Sequence, residues 1–290
     1  MTASLVTLLR GPVAVAALLI ARQERFAPED LCSPPVALAV AAEARLELDP
    51  WGGDHARRVR RVLDHAAEVK SYAEAVLANP ASSWWAQPVD RYGQVLVAGQ
   101  CSSGVGHAVR FASSAYAQRP VPALITSTRL GSDTCWDVFT GRHVGDEEPM
   151  PSVDRVLLQA DPAARVLELH EPKHWRELCL RFPLRSGPGE LMPGGLAPDW
   201  TAVATTWDAV HLSFFGFLAS AFVRVGDGLH HSMLWTWDGE QTLWLRQKFT
   251  SSSVVSAAAD SDRVRVTLAS LRDVWGREPI SGERAPLRSE

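Results

Sequence analysis

Lysine is nearly missing from this 290-residue chain: among 29 basic residues only Lys70, Lys173 and Lys248 are lysine. Such an arginine bias reads as the coding habit of a high-GC bacterial genome rather than as chemistry. Cysteine is also sparse. Cys32, Cys101, Cys135 and Cys179 lie far apart, with no C-x-x-C pair and no zinc-ribbon spacing, so free thiols in a reducing compartment are expected. Cys101 has His107 downstream, but no third group to activate it as a nucleophile. No single-sign charge dominates: a net charge of -4 and a pI near 6.1 give no global field for nucleic acid or anionic lipid. No apolar run spans a bilayer, since Val13 to Ala21 falls short of the roughly 20 residues required. That run is interrupted upstream by Gly11-Pro12 and lacks an A-x-A cleavage site before Arg22. It predicts a buried helix starting at Pro12 rather than a signal peptide, and with it a cytoplasmic protein.

Four chemical signatures are missing as well. Gly99-Gln100-Cys101-Ser102-Ser103-Gly104-Val105-Gly106 is glycine-rich, but Val105-Gly106 stand where a phosphate loop needs Lys and then Ser or Thr. The G-x-G-x-x-G dinucleotide pattern and the G-x-S-x-G nucleophile elbow do not occur. Nor does Glu147-Glu148, a polar loop pair, suggest opposed acids flanking a glycosidic bond.

What is present is an ordinary globular composition, 46% hydrophobic and 21% charged, with eleven tryptophans that must be buried or used for stacking. The first eighty residues read as helical. Val36 to Leu48 is rich in alanine and leucine, and His55 to Leu77 sets Val59, Val62, Leu63 and Ala66 on one face, with Arg57, Arg58, Arg60 and Arg61 mainly around the other. That arginine cluster reads as a solvated face, since no aromatic platform is interleaved with it. Asn79-Pro80 closes the helical part. Short β-type runs follow at 94–98, 122–126, 153–158, 165–170, 209–213, 221–225, 233–237 and 242–246, separated by Gly, Pro, Ser and Asp clusters rather than by regular crossover helices. The expectation is an α+β protein: a helical region over 1–80, a largely antiparallel β-rich domain with a few helices over 81–275, and a tail over 276–290. Pro183 to Pro198 reads as a long loop.

His170-Glu171-Pro172-Lys173-His174 spells the H-E-x-x-H zinc-protease pattern. That chemistry needs both histidines on one unbroken helix, and Pro172 forbids it by removing an N–H and driving Glu171 out of the α region. A strand ending at His170 and a helix beginning near Pro172 are expected instead, with no metal held between the imidazoles.

The segment HSMLWTWDGEQTLWLR, residues 231 to 246, carries Asp238-Gly239, a two-residue hairpin signal between alternating apolar runs. A hairpin accounts for the aromatics without any function. It does not account for Glu240, an acid set beside so much apolar surface, where partial desolvation makes a carboxylate a functional candidate.

Taken in order, Arg91 at the head of DRYGQVLVAG, Thr126-Ser127-Thr128 in ALITSTRL and Glu240 in WDGEQTLWL resemble the arginine, serine-threonine-serine, glutamate branch of the ADP-ribosyltransferase fold. The resemblance covers about residues 88 to 250, with Thr-Ser-Thr replacing Ser-Thr-Ser, hydroxyl for hydroxyl, and Asp238 at the upstream acid position. It implies NAD as substrate, with no metal, and ADP-ribosyl transfer or NAD glycohydrolysis on an unknown acceptor. It implies further that Arg91 holds the phosphates or ribose, that Thr126, Ser127 and Thr128 scaffold the cleft, and that Glu240 binds the nicotinamide-ribose hydroxyl and steadies the oxocarbenium-like sugar. Tyr92 or Trp136 would stack on the nicotinamide and Gln241 would help orient the acceptor. The rival from another class is a non-catalytic bacterial interaction or scaffold protein, contacting a partner through a Trp-rich face.

Overall fold

A computed structural model describes residues 4–48, 54–97, 124–130, 134, 135, 138, 155–184, 195–234, 237 and 239–255. The N-terminal region is helical, as its alanine-rich periodicity predicts: α1 (Leu5–Leu9), α2 (Pro12–Gln23), α3 (Pro34–Glu47), α4 (His55–Asp64) and α5 (Lys70–Ala78). Pro12 and Pro34 each sit in the first turn of their helix, where a missing N–H costs nothing. Every residue of α2 from Pro12 to Ala21 is buried, and the helix packs against α3 and α4. The continuous His55–Leu77 pattern is divided at residues 65–69. Arg22 reaches across to donate to the Glu68 carbonyl at 2.6 Å, satisfying a carbonyl that an unbroken helix would have used itself. Asn79 then caps a 3₁₀ turn over Pro80–Ala86 through its side chain.

The remainder is built around a seven-stranded sheet, mostly antiparallel, in an α+β arrangement. Its strands are β1 (Gln94–Val97), β2 (Leu124–Thr128), β3 (Arg155–Ala160), β4 (Val166–Leu169), β5 (Ala209–Leu212), β8 (Gln241–Trp244) and β9 (Phe249–Val255), in the order β4-β5-β8-β2-β1-β3-β9. Among the described strands of this sheet only the β4–β5 pair is parallel, bridged by helices α6 (Pro172–Arg181) and α7 (Trp200–Thr206). A further helix, α8 (Phe214–Ser220), follows β5, and β6 (Arg224–Val225) pairs with β7 (Ser232–Met233) in a separate ribbon. No helix among the described residues is long and apolar enough to cross a membrane.

The hairpin expected across Asp238-Gly239 is not formed. Both edges of β8 are taken, by β2 and β5, and β7 pairs with β6 instead. All four residues of β8 are buried, so burial on both faces pulls it into the centre of the sheet, away from a two-stranded turn. The H-E-x-x-H segment breaks where Pro172 dictates: Glu171 is extended at φ -147, ψ 155, and Pro172 opens α6. His170 Nδ1 lies 2.9 Å from the Ser213 hydroxyl, and its backbone N–H donates to His174 Nδ1.

Helical region and sheet share one core. Leu8, Val13, Ile20 and Leu38 belong to the same apolar cluster as Leu169, Leu212, Leu243 and Phe217. Gly216 on α8 permits a close approach to the end of β4, since a Cβ there would stand 2.2 Å from the Leu169 carbonyl oxygen. Cys32 and Cys179 are buried free thiols, and Cys135 is buried as well. Cys101, Trp136, Glu147-Glu148, Asp238 and the 276–290 tail lie outside the described residues.

Candidate functional site

Strand alternation puts Leu167, Leu169, Val210, Leu212, Ile125 and Leu243 on the sheet face that meets the helices. The other face carries, in register from strand to strand, Glu168, His211, Thr242 and Thr126. Two residues along, on the same face, runs an apolar row of Val166, Ala209, Trp244 and Leu124. A polar line is thus embedded in the sheet against a dry neighbour. At its end, immediately before β8, stands Glu240, only 4% exposed. The chain reaches that point past Cys135, whose Cβ would lie 2.9 Å from a Cβ at position 239, so the approach requires Gly239.

Four donors converge on the Glu240 carboxylate. Ser127 Oγ and the Thr128 backbone N–H donate to Oε2 at 2.7 and 2.8 Å, while Thr128 Oγ1 and His211 Nε2 meet Oε1 at 2.7 and 3.1 Å. On its far side His211 Nδ1 faces Glu168 Oε2 at 2.5 Å, and Glu168 Oε1 accepts the Val89 N–H at 3.0 Å. The hydroxyl side is ordered in turn. Trp244 Nε1 donates to Thr126 Oγ1, Thr126 Oγ1 donates to the side-chain Oε1 of Gln94, and Gln94 Nε2 donates to Thr128 Oγ1 at 3.1 Å. The chain Trp244, Thr126, Gln94, Thr128, Glu240, His211, Glu168 therefore crosses five neighbouring strands with each bond polarising the next.

Electrostatics follow from this wiring. Burial opposes the charge on His211, but the hydrogen bonds and charges of Glu168 and Glu240 outweigh it and hold the imidazolium up to about 9. Burial likewise opposes ionisation of Glu240, and the His211 bond and charge, then the Thr128 and Ser127 bonds, reverse it, so the carboxyl is held below its ordinary value. His170 is depressed, chiefly by burial. Thr242 Oγ1, fully buried in the same row, finds no hydrogen-bond partner among the described residues.

The predicted site residues are therefore partly gathered. Thr126, Ser127, Thr128 and Glu240 form one hydrogen-bonded cluster, with Gln241 buried beside it at the head of β8. Tyr92 lies at the same end of the sheet, because β1 starts where β2 ends, and its side chain is 63% exposed. Arg91 is drawn the other way, toward β3. Its Nη1 donates to the Asp161 carbonyl at 2.9 Å and its own carbonyl accepts the Ala160 N–H. Trp136 falls outside the described residues.

No family model matches the chain, and neither a curated protein nor a solved structure matches it. Chemistry must therefore be argued from the cluster. Its principal member unseen in the sequence is His211, together with Glu168 and Gln94. The available signal was a polar residue inside an apolar strand, as in Ala209-Val210-His211-Leu212 and Val166-Leu167-Glu168-Leu169. Among the described tryptophans, Trp85, Trp175, Trp200, Trp237 and Trp244 are buried, and Trp84 and Trp207 are half-buried.

Proposed function

We propose that the protein binds NAD at the strand ends bearing Thr128 and Glu240, and transfers its ADP-ribosyl group to an acceptor or to water. The direct contact of Glu240 with Ser127 and Thr128 carries this reading, because it joins two sequence segments, more than a hundred residues apart, that the resemblance assigns to one cleft. A buried carboxylate kept ionised is suited to steadying positive charge that develops on a ribose, since low dielectric strengthens the interaction and a fixed group needs no reorganisation. All four acceptor positions of Glu240 are filled. A ribose hydroxyl would therefore take the place of the half-buried Thr128 hydroxyl on Oε1, keeping the carboxylate's acceptor count unchanged. Tyr92 supplies an exposed ring for stacking on the nicotinamide. In this arrangement Arg91, held at Asp161, would have to release that carbonyl before engaging phosphate.

The rival reading, a non-catalytic interaction protein, takes the saturated carboxylate as a purely structural cross-brace of the sheet. Incubation with NAD separates the two. The NAD reading expects a thermal upshift and nicotinamide release, while neither effect leaves the binding protein.

A further inference from the structure

We propose that His211 is a positioning residue of this site: clamped as an imidazolium between Glu168 and Glu240, it keeps the Glu240 carboxylate ionised and aimed along the hydroxyls of β2. The inference rests on the reading that Glu240 acts on NAD, but its physical part can be tested without NAD.

Geometry carries the argument. A neutral imidazole has a single N–H, so one of its nitrogens would confront a carboxylate lone pair to lone pair. Here Nδ1 and Nε2 both face carboxylate oxygens, at 2.5 and 3.1 Å. Double protonation satisfies both contacts at once. The charged and titratable groups facing the ring are Glu168 from β4 and Glu240 from the head of β8. His170, just past the end of β4, feels the charge of His211 and is itself disfavoured as a cation by burial. The two carboxylates differ in setting. Glu240 is enclosed, whereas the Glu168 side chain is 24% exposed and so connects the buried charges to solvent. With His211 removed, Glu240 would be an uncompensated buried anion and would take up a proton, losing the charge that the sugar needs.

The test combines nitrogen-15 NMR of the unligated full-length protein with pH profiles of nicotinamide release from NAD by wild type, H211Q and E168Q. Both His211 ring nitrogens should be protonated at neutral pH. H211Q should move the acid limb of the profile upward by about one unit or more, a tenfold loss at the low-pH end. E168Q, which keeps an oxygen able to accept from Val89 N–H, should move the alkaline limb and the His211 titration downward, because a neighbouring carboxylate no longer favours the cation. A single-tautomer neutral His211 at neutral pH overturns the proposal, as does an active E168Q with unchanged limbs. Absence of nicotinamide release from the wild type defeats the NAD reading alone, and the nitrogen shifts still decide the clamp.

Discussion

His211 reaches Glu240 from the adjoining strand, Nε2 to Oε1 at 3.1 Å, with the two side chains 2% and 5% exposed. A cation and an anion withdrawn this far from water are stable only as a pair, and breaking such a pair costs about 3–5 kcal/mol because one charge is left stranded. Serine and threonine hydroxyls complete the carboxylate's hydrogen bonding. The same contacts that make the sheet rigid there also prepare an ionised acid at its end.

The pair sets a pH dependence with two limbs. His211 is raised from 6.5 to about 9, so its contribution to stability is full below pH 6.5 and is lost as pH rises through about 9. Glu240 is lowered from 4.5, so its contribution is full above pH 4.5 and is lost as pH falls through its lower folded value. Urea midpoints measured from pH 4 to 10 should therefore decline across the alkaline limb in wild type and stay flat there in H211Q. An alkaline decline of equal size in both would remove His211 as its cause.

Gly216 should tolerate no side chain. A Cβ would sit 2.2 Å from the Leu169 carbonyl oxygen, so G216A must push α8 off the end of β4, at a cost of about 1–3 kcal/mol. Gly228 is the control. Its φ is +47 with nothing within 4 Å, so G228A should lose about 1–2 kcal/mol, from backbone conformation alone and with no displaced neighbour. Chemical denaturation of both variants distinguishes the mechanisms, and equal losses would mean the helix shifts freely.

Thr242 carries a buried hydroxyl with no partner among the described residues, between His211 and Thr126 in the sheet register. Valine is nearly the same shape without the desolvation cost. T242V should be neutral or stabilising by up to about 1 kcal/mol in thermal unfolding, whereas a loss above that would reveal a hydrogen bond made by the hydroxyl.

Much of this architecture was legible in the residues. Pro12 and Pro172 marked helix starts through their fixed φ and missing N–H, and alternation in Val166–Leu169 and Ala209–Leu212 marked strands. The helix over Phe214-Phe215-Gly216-Phe217-Leu218-Ala219-Ser220 was not, because every residue in it is buried and no polar face remains to show a period. Strand β9 was not among the β-type runs, because Ser251-Ser252-Ser253 show no apolar alternation, yet they pair along β3. In the site, Ser127 and Thr128 contact Glu240, side chains whose type and chemistry were visible in the sequence although their meeting depends on the β2–β8 pairing. His211 and Glu168 did not emerge, since their meaning depends on β4 and β5 lying parallel and in register, a long-range pairing that local sequence does not encode.

The most direct measurement is nicotinamide released from NAD by purified wild-type protein and by E240Q, with circular dichroism confirming the fold of each. The account predicts release by wild type and a loss of about a hundredfold or more in E240Q. Equal release by a folded E240Q, or none from wild type together with no NAD-induced thermal shift, would contradict it.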